Sequence, residues 1–575
     1  RARSRTSWSC RGERASLHPE AQGRQVIRDM FKDPSSDAGR TASSLRHRNT
    51  VNETHSERWK KGDEDVEVTL NDFIQSNALD ISESYFRRTA SSIALADRLD
   101  IYKQSDIGRL IDDATAKTFG QDGFSEAAAV QAKKDLKFAV DRIQGIPQEE
   151  FSTLNKAMAQ WRDFNVIRLM GGAVWNQVTE LSQIVGSMGW KATLGAVGEL
   201  RALRRDIATG KAPHDFLDHL ENTIGGVGSE YVARLDFSPK DDWVRYKGDT
   251  AMNRRLDALD SGTKKVAKGV LDYTGMTGTM IQQKRIHAIA LMNHFVNAAT
   301  GEPSKFLSKE RLAWMGMSEA DYAALNKGIA AHTKGAVTGD FGKKTNFDFK
   351  AFAKESPELN SMLMNALHRE TRRVVQENDL ASMVPLMGTT LGKTVFQFMN
   401  FSIHGWNKSM LFAMNHRDFS TLSTVLHGSF FASLAYMGRT HLSAMGMDDA
   451  QREEYLAKRM STKQIVANSF GRISQASLLP TAYDTTLGNF TGAMFAGTRT
   501  TSDVTSFASN PTLQAVNGVL SLGKMVRNAA SDDLQTTQRD VKTWGKLIPL
   551  NNTALVSPFL NALANDFPTN EDATK

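Results

Sequence analysis

Residues Phe419–Gly438 read FSTLSTVLHGSFFASLAYMG, a run of 20 residues that contains no Asp, Glu, Lys or Arg. About twenty helical residues match the hydrocarbon thickness of a bilayer at a rise of ~1.5 Å per residue. Only eleven of the 20 are apolar, however, and four Ser, two Thr and His427 lie among them. The pattern favours a helix buried in protein, with conditional entry into a membrane as the alternative. The small residues Gly428, Ser429, Ala432 and Ser433 permit close helix contact in either setting.

Upstream, residues Leu386–Phe401 read LMGTTLGKTVFQFMNF and contain Gly-Lys-Thr, the end of a phosphate-binding loop. That loop needs four residues between its two glycines, so that backbone N–H groups surround the phosphates. Gly388 and Gly392 are separated by three residues, and the segment before them is typical of a helix rather than a strand. We therefore predict a helix start, capped by Thr389 or Thr390 with Lys393 in solvent, instead of a nucleotide site.

The residues after Lys393 are predicted to form one long helix that is apolar on most of its circumference. Such a helix must be buried in a bundle, in an oligomer or in lipid. Its aromatic residues, together with those of the uncharged run, are the predicted membrane or oligomer contacts: Phe396, Phe398, Phe401, Trp406, Phe412, Phe430, Phe431 and Tyr436.

The whole chain is predicted to be all-α, an extended array of many helices with little or no β-sheet. Its 575 residues include only 13 prolines, and alternating β-branched runs are scarce. Residues Trp59–Glu67 are charged and turn-like, and helical periodicity begins near Val68. The predicted regions are a basic, disordered tail (1–60), two helical regions (61–235 and 236–355), apolar helices with a possible membrane-active segment (356–447) and a helical C-terminal region with a flexible Gly/Thr/Ser-rich stretch (448–575).

Four glycines lie in a nearly uncharged part of the helical region 61–235: Gly171, Gly172, Gly186 and Gly189. Each would weaken a solvent-exposed helix by about 1 kcal/mol. We expect them to mark helix breaks or places where two helices approach closely.

Charge and cysteine content limit the classes of function. A single cysteine, Cys10, excludes a disulfide framework and a cysteine-rich zinc module. Of the formal net charge of +7, residues 1–60 carry six units. We expect these residues to form a disordered, solvated extension, and the alternative is non-specific contact of the basic charge with nucleic acid or anionic lipid. Contact with nucleic acid would make the protein a soluble, DNA-associated helical scaffold.

No catalytic or cofactor-binding constellation can be assembled from the sequence. Glu83-Ser84 copies the opening of a lytic transglycosylase pattern, and a peptidoglycan-degrading enzyme with Glu83 as its acid is therefore the alternative function. The Gly and Gln that should follow are missing, and Arg87 and Arg88 would lower the pKa of that acid. Since the chain begins with Arg, we expect the polypeptide to continue upstream, where an enzymatic domain could lie.

Histidine spacing does not predict a metal site. His214 and His219 are five residues apart, and His287 and His294 are seven apart, whereas paired ligands on one helix need a spacing of four. Neither a metal nor a cofactor is predicted.

Four segments resemble, in order and character, the C-terminal part of the internal virion proteins of short-tailed, T7-like phages, also called ejection or internal core proteins (internal virion protein D). The segments are NALDISESYFRRTASSIALADRLDI, LMGGAVWNQVTELSQIVGSMGW, LGKTVFQFMNFSIHGWNKSML with the uncharged run after it, and WGKLIPLNNTALVSPFLNALANDFP. The resemblance spans about Val68–Pro568 and rests on apolar and small residues. The pair Gln397-Phe398 ahead of an uncharged helix carries the most weight.

This resemblance implies a non-enzymatic helical protein stored in the virion interior as a ring-like homo-oligomer, together with the portal and other internal virion proteins. It implies ejection with the phage DNA and assembly into a channel across the host periplasm and inner membrane. Some family members carry an N-terminal transglycosylase domain, but that activity is not carried over to any residue here.

Overall fold

A computed structural model describes residues 8–10, 56–61, 64–69, 89–118, 125–144, 152–208, 275–333, 347–375, 385–397, 405–476, 511–529 and 536–568, apart from five single positions, and a few isolated residues elsewhere. The chain divides into two compact units, Arg1–Gln104 and Ser105–Lys575. Helices dominate the described residues, which confirms the prediction of an all-α chain with little β-sheet.

The first unit contains a small antiparallel sheet of three strands in the order β1-β2-β3: Trp8–Cys10, Ser56–Lys61 and Glu64–Thr69. Between β2 and β3, Arg58 lies opposite Glu67 and Lys60 lies opposite Asp65. Oppositely charged residues that face each other across a strand pair stabilise it.

These strands correct two predictions. Residues 59–67 were expected to be turn-like because of their charge, but the alternation of opposite charges suits a hairpin. Strand β1 and all but the last residue of β2 also lie within residues 1–60, where a disordered tail was expected. Most of that tail lies outside the described residues.

The second unit is helical. Among the described residues its helices are α1 (Gln104–Thr118, which begins at the last residue of the first unit), α2 (Glu126–Gln144), α3 (Thr153–Leu169), α4 (Val174–Met188), α5 (Trp190–Ala208), α6 (Met276–Ala299), α7 (Lys309–Trp314), α8 (Glu319–Ala331), α9 (Phe349–Glu355), α10 (Pro357–Val374), α11 (Thr390–Val395), α12 (Leu411–His416), α13 (Phe419–Ser443), α14 (Asp449–Arg459), α15 (Thr462–Phe470), α16 (Pro511–Ala529), α17 (Gln538–Gly545) and α18 (Val556–Asn565).

Helix α6 organises the main apolar core. It packs against α4, α5, α8 and α10. Phe295 and Leu291 on α6 are buried together with Leu325 on α8, Phe352 on α9 and Leu367 on α10. The core therefore joins helices from three of the predicted regions.

Helix α4 is held just as closely by α13. A Cβ atom at Gly186 of α4 would lie closer than 3.0 Å to the backbone of Thr424 on α13, so only glycine fits there. Gly189 ends α4 with a φ of 82°, a conformation that costs glycine little. For Gly186 and Gly189, the prediction of a close helix approach or a helix break is confirmed.

The predicted long apolar helix is interrupted, which corrects the sequence analysis. Helix α11 ends at Val395, a π-helix spans Trp406–Met410, and α12 ends where Arg417 adopts a positive φ of 43°. The side chain of Gln397 is buried. It accepts a hydrogen bond from Asn165 at 2.9 Å and donates one to the Arg162 carbonyl at 2.7 Å. These bonds hold the chain against α3 just after α11 ends.

The predicted start of α11 is confirmed, but the predicted place of Lys393 is wrong. Thr389 is the N-cap, and its hydroxyl accepts a hydrogen bond from the Gly392 N–H. Lys393 is only 7% exposed rather than solvated. Burial, followed by the charges of Arg142 and Arg162, lowers the pKa of Lys393 to about 7.

The contact of α4 with α13 can be tested by Gly186→Ala. We expect the free energy of unfolding to fall by about 1–3 kcal/mol, because the added methyl group forces the helices apart. Denaturant titration measures this change. Gly195→Ala, where a Cβ meets nothing within 4 Å in the interior of α5, is the matched control and should leave stability unchanged or raise it by up to ~1 kcal/mol. Equal losses in both variants would contradict the close approach.

Lys393→Met tests the buried ammonium group. Between pH about 7 and 10.5 the unfolded chain keeps the Lys393 proton while the folded chain releases it, because the pKa of Lys393 is lowered in the folded state. Wild-type stability from this residue therefore rises with pH across that interval. We expect the variant to be more stable than wild type at pH 7 and below, by a few kcal/mol, and the gain to vanish towards pH 10.5.

Denaturant titrations across the pH range measure this difference. Lys137→Met, at an exposed position of α2, is the control and should show no such pH dependence. A Lys393→Met gain that does not change with pH would contradict the assignment.

Candidate apolar contact surface

Helix α13, which contains the uncharged run, buries its small and polar residues. The buried positions are Ser420, Ser423, Thr424, Gly428, Ala432, Ala435, Tyr436 and Thr440. They face α4, α15 and the segment that follows α15. Asp418 caps the helix, since its carboxylate accepts a hydrogen bond from the Thr421 N–H at 2.8 Å.

The opposite face of α13 carries large apolar side chains that are exposed. We call it the α13 stripe, and its members are Phe419, Leu422, Leu426, Phe430 and Leu434. Their spacing of three or four residues places them on one side of the helix. Phe419 is 73% exposed and Leu426 is 61% exposed. A helix of a water-soluble core has the reverse arrangement, with its large apolar residues inside.

The elements that cover the inner face of α13 bury polar residues alongside apolar ones such as Ile473. Helix α4 buries Gln177, Thr179, Glu180, Ser182, Gln183 and Ser187. Gln183 and Gln475 are hydrogen-bonded through their amides, with donor–acceptor distances of 3.1 and 3.5 Å. Ser474 donates to the Glu180 carboxylate at 3.3 Å. Helix pairs that join through small residues and polar hydrogen bonds, with bulky apolar residues outside, are typical of proteins in lipid.

An aromatic group borders the α13 stripe. The Trp190 ring, at the start of α5, stacks on Phe431 with centroids 5.8 Å apart. Phe431 in turn meets Phe430 of the stripe edge to face at 5.7 Å. Trp190 is 44% exposed, so the aromatic group extends the apolar surface towards α5.

A buried ionic network fixes the start of α13. The Arg311 guanidinium on α7 donates to both Asp418 oxygens, at 2.7 and 3.2 Å. It also lies 3.6 Å from Glu370, which accepts two hydrogen bonds from Arg373. Burial alone would raise the pKa of Glu370, but Arg373 and then Arg311 outweigh it and lower that pKa to about 2. Both carboxylates are thus held ionised.

The aromatic ring of Phe412 packs against this ionic network. The Arg373 guanidinium lies 3.8 Å from the centroid of its ring, and His416 stacks on the ring at 3.8 Å. Trp314 of α7 contacts it edge to face at 5.4 Å. Phe412 is therefore buried within this chain, which corrects its assignment as an outward contact.

The other predicted contact residues are divided between surface and interior. Phe430 lies in the α13 stripe, and Phe431 is half-buried beside it. Tyr436 is buried, with its hydroxyl donating to the Arg459 carbonyl at 2.9 Å, so its expected outward contact is also corrected. Phe396 packs near Phe138.

Three predicted residues, Glu83, Phe398 and Phe401, lie outside the described residues, and Trp406 is half-buried in the π-helix. Of the α13 stripe, the sequence predicted only Phe430, because the predicted contacts were all aromatic and began after Phe419 within the uncharged run. Leu422, Leu426 and Leu434 follow the helical spacing that would have identified them.

Among the described helices, none combines the length and hydropathy needed to cross a bilayer. Within the same residues, no group of three potential metal ligands comes together. Comparison with protein-family models, with curated proteins and with solved structures gives no match. The resemblance to internal virion proteins thus stays a prediction.

Asp418→Asn tests the anchor of α13. Asn keeps the helix cap but loses the charge that pairs with Arg311. We expect the free energy of unfolding to fall by about 1.5–3 kcal/mol at neutral pH, as for a hydrogen bond to a charged group. Although burial opposes it, bonding to Arg311 and Thr421 lowers the pKa of Asp418 well below its usual range. Wild type should therefore lose this advantage as the pH falls below about 4.

Denaturant titration at several pH values measures the effect. Asp448→Asn, at the N-cap of α14 where the side chain makes no capping hydrogen bond, is the control and should change stability little. A loss at Asp418 that persists in acid would contradict the ionic origin of the effect.

Proposed function

We propose that this protein is an internal virion protein of a short-tailed phage, ejected with the genome to form part of a channel across the host envelope. In this role the α13 stripe lies against membrane lipid. The protein acts by binding and assembly, without an enzymatic step in this chain. Its partners are further copies of itself, other internal virion proteins, the portal, phage DNA and the host inner membrane.

One observation carries the lipid contact: α13 buries its small and polar face and exposes its large apolar face. Exposure of Leu and Phe side chains to water is unfavourable, by about 25 cal/mol for each Å² of apolar surface. A lipid surface removes this cost without requiring shape complementarity. The absence of charge over Phe419–Gly438 fits the same partner, since a charged group in lipid is costly.

The stripe suits lipid contact along its length rather than passage across the bilayer. The first and last members, Phe419 and Leu434, are fifteen residues apart, which corresponds to about 22 Å of helix. The polar face that would meet water in an isolated interfacial helix is covered here by α4 and α15. The protein body therefore takes the place of water on that side.

Vesicle flotation of the full chain tests the proposal, with Leu422→Ser/Leu426→Ser as the stripe variant. Both side chains are exposed, so the fold should be retained. We expect association with vesicles to fall about 10-fold or more, because two apolar contacts with lipid are lost. Dye release from the vesicles should fall in parallel.

Leu136→Ser/Leu154→Ser is the matched control, since these leucines are exposed on α2 and α3 rather than on α13. It should bind like wild type.

Vesicle binding that is absent under all conditions contradicts the proposal. Oligomers that depend on the stripe, without vesicle binding, would assign the stripe to contact with a second copy of the chain. Clearing of purified cell walls that Glu83→Gln abolishes would favour the enzymatic alternative.

A further inference from the structure

Trp190 and His427 form the most specific polar contact at the edge of the α13 stripe. The Trp190 indole Nε1–H donates a hydrogen bond to His427 Nε2 at 2.7 Å. The other ring nitrogen, Nδ1, lies 2.7 Å from the Ser423 carbonyl, one turn earlier on α13. Since a carbonyl can only accept, Nδ1 carries the proton and Nε2 is left as an acceptor. The geometry thus requires the neutral imidazole.

We propose that protonation of His427 releases Trp190 and Phe431 and so enlarges the α13 stripe. This regulation rests on the proposed lipid contact. An imidazolium has N–H groups on both nitrogens, so His427 Nε2 would face the Trp190 N–H with a second donor. Two donors at hydrogen-bond distance repel each other, and the indole has no acceptor to offer in exchange. Trp190 must then turn away from α13.

The position of Trp190 makes this movement inexpensive. It follows Gly189, whose φ of 82° forms the corner between α4 and α5. Its ring is already 44% exposed, so its N–H can bond to water after release. On α13 the contact also involves the buried Ser423, whose carbonyl and hydroxyl lie 2.7 and 3.2 Å from His427 Nδ1.

Release of Trp190 alters the apolar surface directly. Phe431 is half-buried, stacks on Trp190 and adjoins Phe430 of the stripe. Without that stack, Phe431 joins the exposed side chains, and Trp190 itself becomes available. Trp is a residue that favours the boundary between lipid and water.

Other charged groups near α13 are engaged elsewhere or lie at its ends. Glu180 of α4 accepts from Ser474, Arg472 lies 5.6 Å from the centroid of the Tyr436 ring, and Asp418 pairs with Arg311. The remaining ones on the elements packed against α13 are Lys191 beside Trp190, His416 and Arg417 before Asp418, Arg439 and His441 towards the end of α13, Lys463 on α15, Asp566 after α18, and the charged residues of α14. His427 is thus the titratable group in direct contact with Trp190.

Tryptophan fluorescence of the full chain without lipid tests the contact itself. We expect one transition as the pH is lowered from neutral into the acid range, because protonation of the imidazole breaks the contact. Trp190→Phe and His427→Gln should each remove it, since the first lacks the donor and the second does not titrate. His441→Gln, which changes an exposed histidine further along α13, is the matched control and should keep it.

Vesicle binding across the same pH range tests the consequence. Wild type should bind about 10-fold more tightly in acid, and His427→Gln should remain at the neutral-pH level throughout. The proposal is overturned if the fluorescence transition is retained in Trp190→Phe and in His427→Gln. It is also overturned if the binding of wild type to vesicles does not change with pH. A different result would show that the stripe does not contact lipid: the Leu422→Ser/Leu426→Ser variant would then bind vesicles as tightly as wild type.

Discussion

The polar contact between α4 and α13 is the constraint on which the rest of the structure depends. Gly186 lets the backbone of Thr424 approach closely, and Ser420 donates to the Ser187 carbonyl at 3.4 Å. Because these small and polar groups take the inner face of α13, the leucines and phenylalanines of the helix have no place inside. The exposed stripe is thus a direct consequence of how the two helices join.

The ionic network at Asp418 gives this arrangement its fixed position. Arg311 joins α7 to the first turn of α13, and Glu370 joins the same arginine to α10. Removing one member of a buried ion pair is costly, because the remaining charge stays buried without compensation. The network therefore fixes where α13 begins, while the contact with α4 fixes its orientation.

The sequence predicts the helical fold and much of the location of the surface, but not its orientation. The uncharged run is visible in the sequence, and α13 begins at Phe419 as the run does. Helical spacing alone cannot tell which face of such a helix is covered, because that depends on α4, which lies more than two hundred residues earlier. The interruption after Val395 was unpredictable for the same reason, since the amide of Gln397 bonds to α3. Lys393 was misplaced because a lysine is usually exposed.

The central claim is that the stripe of α13, and not its inner face, meets lipid. An environment-sensitive fluorophore attached to single cysteines along α13, in a Cys10→Ser background, measures this most directly when vesicles are added. The account predicts blue shifts at positions 422, 426, 430 and 434 and none at positions 424, 428 and 432. Equal shifts at all positions, or shifts confined to the second set, would contradict it.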